Sequence, residues 1–285
     1  MNMSSETSTD QHVLLISSPD EKGLVYRTCK VIFDHGLNIT TNGEYVDAET
    51  KQFFIRCSLE GAIDRVRMVE ELNKLLPAGS TIDLRAKRKK KVVIMGTREY
   101  HCMADLLTKH HYGDINAEIQ AVVSNHDHLK GLVDKFDLPF HSISTKGLDR
   151  AGHEEKVLNL LKQFDFDYLI LAKYMRILTP QFVDTYKNHI INIHHSFLPA
   201  FMGANPYGQA HDRGVKIIGA TAHYVTDDLD EGPIIHQSVT PVDHHFTPKG
   251  MARAGRDVER SVLGKALELV FNDRVMINGN KTIIF

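Results

Sequence analysis

The densest run of side chains able to act on a substrate is Asn192-Ile193-His194-His195-Ser196-Phe197-Leu198-Pro199, which emerges from the apolar stretch Ile190 to Ile193. A β-strand sends alternate side chains to opposite faces, so Asn192 and His194 share one side and Ile193 takes the other. Further along, His223 to Pro233 reads as a strand end, an acidic loop and a Gly-Pro turn, with Asp227, Asp228, Asp230 and Glu231 in the loop. An amide, an imidazole and a carboxylate, without a Ser or Cys nucleophile, suit acyl transfer by direct attack. The carbonyl oxygen becomes an oxyanion that the amide and a protonated imidazole can stabilise, at about 3 kcal/mol for one good donor. A carboxylate beside an imidazole favours the cationic form, and can itself take a proton from the attacking group. The residues alone leave choices open. His195 competes with His194, and Asp227, Asp228 and Glu231 compete with Asp230. A solitary Asn-x-His at a strand end is more often structural than catalytic.

The elements that would position this cluster read as strand-helix alternation. Val92 to Met95, Ala117 to Val123, Phe140 to Ile143, Tyr168 to Ala172 and Ile190 to Ile193 are short apolar runs suited to buried strands. Helical spacing appears around Ala104 to Lys109, from His128 to Phe136 and from Glu154 to Phe164. This is the signature of a doubly wound, Rossmann-like α/β sheet, whose ligands bind at the carboxyl ends of the strands. Ile217 to Val225 and Ile234 to Val239 extend the sheet, and Asp257 to Val270 closes the domain as a helix with Val258, Val262, Leu269 and Val270 on one side.

A smaller pattern precedes it. Strands are expected at Val13 to Ser17, Leu37 to Val46, Gln52 to Leu59 and Ser80 to Leu84. Helices are expected at Glu21 to His35, with Leu24, Val25, Thr28, Val31 and Ile32 inward, and at Ile63 to Leu76, with Val66, Val69, Leu72 and Leu76 inward. Ser18-Pro19-Asp20 is placed to cap the first helix and Gly36 to end it. The order βαββαβ is that of a ferredoxin-like, split-βαβ sandwich. The basic run Arg85-Ala86-Lys87-Arg88-Lys89-Lys90-Lys91 reads as a solvated connector, since no aromatic residue interleaves its charges. The expected layout is a disordered lead-in over 1–11, a front domain over 12–85, a basic linker over 86–91 and a catalytic domain over 92–285.

Composition sets the outer bounds. The 285 residues are 42% hydrophobic and 25% charged, enough apolar content for a sizeable core. With 34 Lys+Arg against 36 Asp+Glu, the net charge of −2 gives no overall pull toward nucleic acid or anionic membrane. No apolar run reaches the ~18 residues of a membrane span, and the polar N-terminus is not a secretory signal. Cys29, Cys57 and Cys102 form no C-x-x-C pair, which argues against a disulfide framework and points to the cytoplasm.

The residues from Asn192 to Pro233 resemble the active site of the folate-dependent formyltransferase family, in which Asn-x-His, Ser-x-Leu-Pro and Leu-Asp-x-Gly-Pro occur in this order. Here they are Asn192 and His194, Ser196-Phe197-Leu198-Pro199, and Leu229-Asp230-Glu231-Gly232-Pro233. The resemblance covers residues 91–285 and implies a catalytic triplet of Asn192, His194 and Asp230. It implies that Met175-Arg176-Ile177-Leu178 lines the pteridine pocket, largely through main-chain groups, and that the loop from Val225 to Asp230 forms the opposite wall. Folate contacts are therefore expected at Met175, Arg176, Ile177, Leu178, Val225 and Asp228.

The family divides by acceptor. A phosphorylated amine needs a Gly-rich loop after the first strand, and Met95-Gly96-Thr97-Arg98-Glu99-Tyr100-His101-Cys102 makes a poor phosphate cradle. The tRNA-directed branch carries its extra domain after the catalytic one; this chain carries its extra domain in front. That front domain is similar to the ACT family through Ser18-Pro19-Asp20-Glu21-Lys22-Gly23-Leu24-Val25 and His35-Gly36-Leu37-Asn38-Ile39. ACT domains sense small amino acids at paired interfaces, so the resemblance implies a homo-oligomer and an amino-acid effector site at Asp20, Gly23 and Asn38. An ACT domain ahead of a formyltransferase-like domain implies the hydrolytic branch, in which water replaces the amine. The implied reaction converts 10-formyltetrahydrofolate to tetrahydrofolate and formate, serving one-carbon balance and purine synthesis. The alternative is formyl transfer to an unidentified amine. After the Pro206-Tyr207 pair that branch has His, where this chain has Gly208. No cofactor or metal is expected, because His110-His111, His126/His128 and His244-His245 lack a known ligand spacing. Nucleic acid and membrane are not expected as partners.

Overall fold

The computed structural model describes residues 10–200 and 206–285. The lead-in expected over 1–11 lies outside the described residues up to position 9, and Gln11 already belongs to a strand. In chain order the elements of the first unit are β1 (Gln11–Pro19), α1 (Leu24–Asp34), β2 (Asn38–Asp47), β3 (Gln52–Glu60), α2 (Arg65–Leu75) and β4 (Thr81–Ala86). They continue with β5 (Lys90–Gly96), α3 (His101–Tyr112), β6 (Ala117–Ser124), α4 (Lys130–Val133), β7 (Phe140–Ser142), α5 (Arg150–Leu161), β8 (Tyr168–Leu171) and α6 (Pro180–Thr185). The chain completes with β9 (Ile190–His194), α7 (Pro206–Arg213), β10 (Ile217–Tyr224), β11 (Ile234–Pro241), α8 (Pro248–Phe271), β12 (Val275–Asn278) and β13 (Lys281–Ile284).

Two compact units result. The first runs to Arg88 and takes in Ile283–Phe285; the second is Lys89–Thr282. The last three residues thus leave the range expected for the catalytic domain. Phe285 lies so close to Gly43 that a Cβ there would meet its ring at 2.9 Å.

The first unit is an antiparallel sheet in the order β2-β3-β1-β4, covered by α1 and α2. Leu14, Ile16, Leu24, Val31, Ile32, Ile55, Met68 and Leu72 form its core. Two inward expectations fail: Val25 is 37% and Val66 71% exposed, and Met68 takes the buried place on α2. The helices begin later than the apolar spacing suggested. α1 starts after Gly23, whose left-handed φ of 87° turns the chain into the helix without any side-chain cap, and α2 starts at the Asp64 cap.

The second unit holds a seven-stranded sheet in the order β11-β10-β9-β8-β5-β6-β7. Strands β5 to β9 pair in parallel, while β10 runs antiparallel to β9 and β11 to β10. The sheet is therefore mixed. Its first strand lies inside it, so the order reverses between β5 and β8, the place where α/β sheets open a crevice. One face packs on α3 and α8 through Ile94, Leu106, Ile191, Ile193, Leu263 and Leu267. The other packs on α5 and α6 through Val93, Met95, Val157, Leu169, Phe182 and Ile190.

The basic run is a correction. Arg85 belongs to β4, and Lys90 and Lys91 open β5. Lys90 is 3% exposed and its Nζ sits 2.9 Å from both carboxylate oxygens of Asp273. Strand pairing with Ala117 draws it inside, where an ammonium needs a paired carboxylate. Among the described residues no helix is long and apolar enough to cross a membrane.

Candidate active site

Along β9 the residues Ile190, Asn192 and His194 share a face. Ile190 joins the apolar core on that face, and the polar pair continues it toward the strand end. Ile191 and Ile193 are buried on the opposite face. Alternation therefore carries a hydrophobic layer directly into a polar site. On the neighbouring strand β10, His223 pairs with Asn192 and Thr221 with His194.

The acidic loop is brought to these residues by its Gly-Pro turn. Tyr224 N–H donates to the Pro233 carbonyl at 2.9 Å. Gly232 lies against Tyr224 so tightly that a Cβ would come within 1.8 Å of the Tyr224 carbonyl oxygen. Only glycine fits there. Asp230 itself has a left-handed φ of 60°, a conformation costly for any residue with a side chain. That backbone brings its Oδ1 to 3.1 Å from His194 Nδ1 and 3.8 Å from His223 Nε2.

The three expected residues thus meet. Asn192, His194, His223 and Asp230 line one cavity of about 390 Å³. His194 Nε2 is buried and has no hydrogen-bond partner among the described residues, so this nitrogen is left unpaired in a residue that lines the cavity. Burial works against the charged form of Asp230, but the hydrogen bond and charge of His194 outweigh it. The carboxyl is held below its usual range and stays ionised.

His223 was not singled out by the sequence reading. Its Nδ1 lies 2.9 Å from the Tyr224 carbonyl, which makes Nδ1 the protonated nitrogen. Burial keeps the ring neutral, so Nε2 is free to accept from Asn192 Nδ2 at 3.2 Å. This fixes the Asn192 amide with its second N–H left for a ligand. The available signal was position: an imidazole on the strand leading into the acidic loop.

His195, the rival of His194, also borders the cavity but lies apart from the carboxylate. Burial, then the Lys173 ammonium and His194, push its pKa down to about 4, so it is a neutral neighbour.

Met175, Arg176, Ile177 and Leu178 line the same cavity, with Val225, Thr226, Asp227 and Leu229 across from them. Met175, Ile177 and Leu229 are about half exposed, presenting apolar faces to a flat ligand. The segment is clamped at both ends. Met175 N–H donates to Thr97 Oγ1 at 3.0 Å, and Thr179 N–H donates to the buried Glu154 carboxylate at 3.1 Å. Asp228 is exposed in the same loop, beside Asp227 of the lining, and its carbonyl accepts from Thr226 Oγ1 and Glu231 N–H in the turn.

The effector candidates do not converge within one front sheet. Asn38 stands level with Gln11, both opposite Glu60, whereas Asp20 and Gly23 follow Pro19 at the far end of β1. The nine residues of β1 separate them by roughly 27 Å. Gly208, in place of the His that the resemblance implied, is buried in α7.

Comparison with known proteins fits this geometry. Residues 90–267 match the family described as "Formyl transferase". The formyltetrahydrofolate deformylase of Escherichia coli (strain K12) is 51% identical over 277 residues, covering 97% of this chain and 99% of its own. That of Bacillus subtilis (strain 168) is 43% identical over 282 residues, covering 97% and 94%. A crystal structure of a formyltetrahydrofolate deformylase from Pseudomonas syringae pv. tomato superposes with a TM-score of 0.93 at 37% identity, over 99% of this chain and 96% of that one. The chain belongs to the formyl transferase family, and within it to the formyltetrahydrofolate deformylases.

Proposed function

We propose that this chain hydrolyses 10-formyltetrahydrofolate to tetrahydrofolate and formate. The observation that carries the reading is the meeting of Asn192, His194 and Asp230 at one cavity, with His194 Nδ1 held by Asp230 and His194 Nε2 unpaired. Full-length relatives named for this activity support it. The pteridine enters between Met175 to Leu178 and the loop carrying Val225 and Asp227. The formyl oxygen faces the Asn192 amide, aligned by His223, and takes the unpaired Nε2 side of His194. Asp230 orients a water and takes its proton as the water oxygen attacks the formyl carbon. Collapse breaks the C–N10 bond, N10 takes the proton that Asp230 removed from the water, and the formic acid formed leaves as formate, its proton going to solvent. The scheme needs only side chains of the protein and the folate, with no resident metal or cofactor.

The first unit has the strand order and composition that support an ACT domain. In that reading a small amino acid binds where two copies meet, since Asp20 and Asn38 lie at opposite ends of one sheet. The chain would then act as a homo-oligomer in the cytoplasm.

The test is turnover of 10-formyltetrahydrofolate without any amine. Stoichiometric formate and tetrahydrofolate are expected. Formate release only when an amine is supplied would replace the reading with formyl transfer.

A further inference from the structure

The turn that delivers Asp230 is tied down twice. Tyr224 N–H on β10 donates to the Pro233 carbonyl, and His223 stands opposite Ile234 across the β10–β11 pair. The second tie comes from β13, where the Thr282 hydroxyl donates to the Ile234 carbonyl at 2.6 Å. β11 is the edge of the seven-stranded sheet, and an edge strand leaves backbone groups without a partner strand. Thr282 supplies a donor to one of them, at the residue next to Pro233 and four beyond Asp230.

Local rules put Thr282 in that place. Asn278-Gly279-Asn280 carries the Asn-Gly signal of a tight hairpin, and Gly279 takes a left-handed φ of 58°. The hairpin makes β12 and β13 a two-stranded sheet. Val275 and Ile277 on β12 pack against the core that holds Tyr224 and Ile235, the residues flanking the turn on β10 and β11. Thr282 is the last residue of the second unit, and the backbone then runs to Phe285, which belongs to the first. Phe285 lies on Gly43. Gly43 stands opposite Arg56, and Arg56 opposite Leu15, so the three share one face of the front sheet. It is the face turned away from the core under α1 and α2, and Val13, Leu15 and Phe54 are buried on it. A side chain at position 43 would strike the Phe285 ring, so glycine makes the seat.

We infer that Thr282 is a positioning residue for Asp230 and that Phe285 anchors it in the first unit, so that the front sheet helps to hold the catalytic carboxylate in place. The inference rests on the hydrolytic reading above, in which Asp230 is the proton acceptor. Asp230 needs bracing because its left-handed backbone is unfavourable, and such a conformation persists only where its surroundings enforce it. Its carboxylate meets His194 Nδ1 at 3.1 Å, and small displacements of a catalytic group are costly to rate. Gly232 and Pro233 fix the turn to β10, and Thr282 fixes the residue on which the turn ends. The folate wall from Met175 to Leu178 is held separately, by Thr97 and Glu154. Loosening Thr282 therefore acts on the carboxylate more than on the grip on folate, which places its effect in kcat rather than KM.

The experiment is steady-state formate release by the full chain from 10-formyltetrahydrofolate, with no amine added. Thr282→Val keeps the shape of the side chain and removes the donor; kcat is expected to fall about fivefold, with KM changed by less than about twofold. Thr282→Ser keeps the donor and is expected to stay within about twofold of the unsubstituted kcat. Phe285→Ala removes the anchor, and kcat is expected to fall about threefold. Gly43→Ala crowds the same seat from the other side and is expected to act the same way; it takes the place of Phe285→Ala if thermal unfolding shows that variant unfolded. Thr282→Val combined with either is expected to lose no more than Thr282→Val alone, because both cuts fall on one path. An unchanged kcat in Thr282→Val, a rise in KM alone, or an equal loss in Thr282→Ser would overturn the positioning role. An unchanged kcat in the folded anchor variants, or losses that multiply in the double variant, would overturn the anchoring. Failure of the hydrolytic reading is seen separately, as absence of formate from the unsubstituted chain.

Discussion

The catalytic triplet and the front unit's effector residues were both read from matched motifs, yet the fold treats them differently. Asn192 and His194 are two residues apart on one strand, and His223 is the cross-strand partner of Asn192. The remaining member, Asp230, is pinned by a glycine that nearly touches the β10 backbone. Every link is local or one hydrogen-bonded strand away, so the residues meet within one chain. Asp20 and Asn38 are separated by the length of β1, with β3 between their strands. A motif becomes a site within one chain only when register brings its members to the same level. When register sets them at opposite ends, as with Asp20 and Asn38, they do not meet within one sheet.

The strongest way to break this comparison is at the carboxylate. Asp230→Asn removes the proton acceptor while keeping a side chain of the same size. Turnover is expected to fall by about two orders of magnitude or more, with the KM for folate changed little. Steady-state kinetics without acceptor measure it, and near-normal turnover would remove Asp230 from its role. Next is Gly232→Ala, which forces the turn away from the Tyr224 carbonyl. A loss of roughly 3 kcal/mol in stability is expected in denaturant unfolding, as for other disruptions of tight packing. Third is His223→Ala. It should lower kcat about tenfold, the scale of losing one positioned donor's alignment, with KM nearly constant. A rise in KM at unchanged kcat would instead assign His223 to folate binding.

Much of this was legible in sequence because it rests on short-range rules. Alternation gave the common face of Asn192 and His194, and the order of apolar runs gave a doubly wound sheet and a split-βαβ unit. What stayed hidden depends on distant partners. Lys90 looks solvated within a basic run, and only Asp273, far away in sequence, explains its burial. Val66 fits a helical stripe, but the sheet takes Met68 instead. Helix α6 and the first two turns of α8 were passed over although each starts at a Thr-Pro pair. Thr179 accepts from Phe182 N–H and Thr247 from Gly250 N–H, the capping geometry that such pairs encode. The contacts of Glu259 were invisible because His101, Tyr207 and Lys173 come from two other helices and the segment after β8.

A pH prediction sharpens the catalytic half of the comparison. His195 is half-buried and neutral, with its pKa lowered from 6.5 to about 4. A depressed imidazole contributes stability that is complete above its unfolded pKa and is lost as pH falls toward the folded value. Thermal unfolding should therefore show a loss of at most roughly 3 kcal/mol between pH 6.5 and 4 from this group. His195→Phe should flatten that slope.

The smallest expected effect tests the front unit. If Asp20 of one copy and Asn38 of another complete an amino-acid site, either Asp20→Ala or Asn38→Ala abolishes binding in a pure sample. Mixing the two variants produces assemblies in which one site receives both substitutions and the other receives neither, so part of the binding returns. The readout is the rise in unfolding temperature with each small amino acid, which for a saturated site corresponds to about 2.7 kcal/mol at one hundred times Kd. Mixed samples should show part of the shift of the unsubstituted chain, and unmixed variants none. Recovery requires that copies exchange, so the variants are refolded together. No recovery in co-refolded samples, with binding intact in the unsubstituted chain, would place the amino-acid site within a single copy. The contrast drawn from strand register would then fail at its weaker half, while the catalytic triplet, which needs no second chain, would stand.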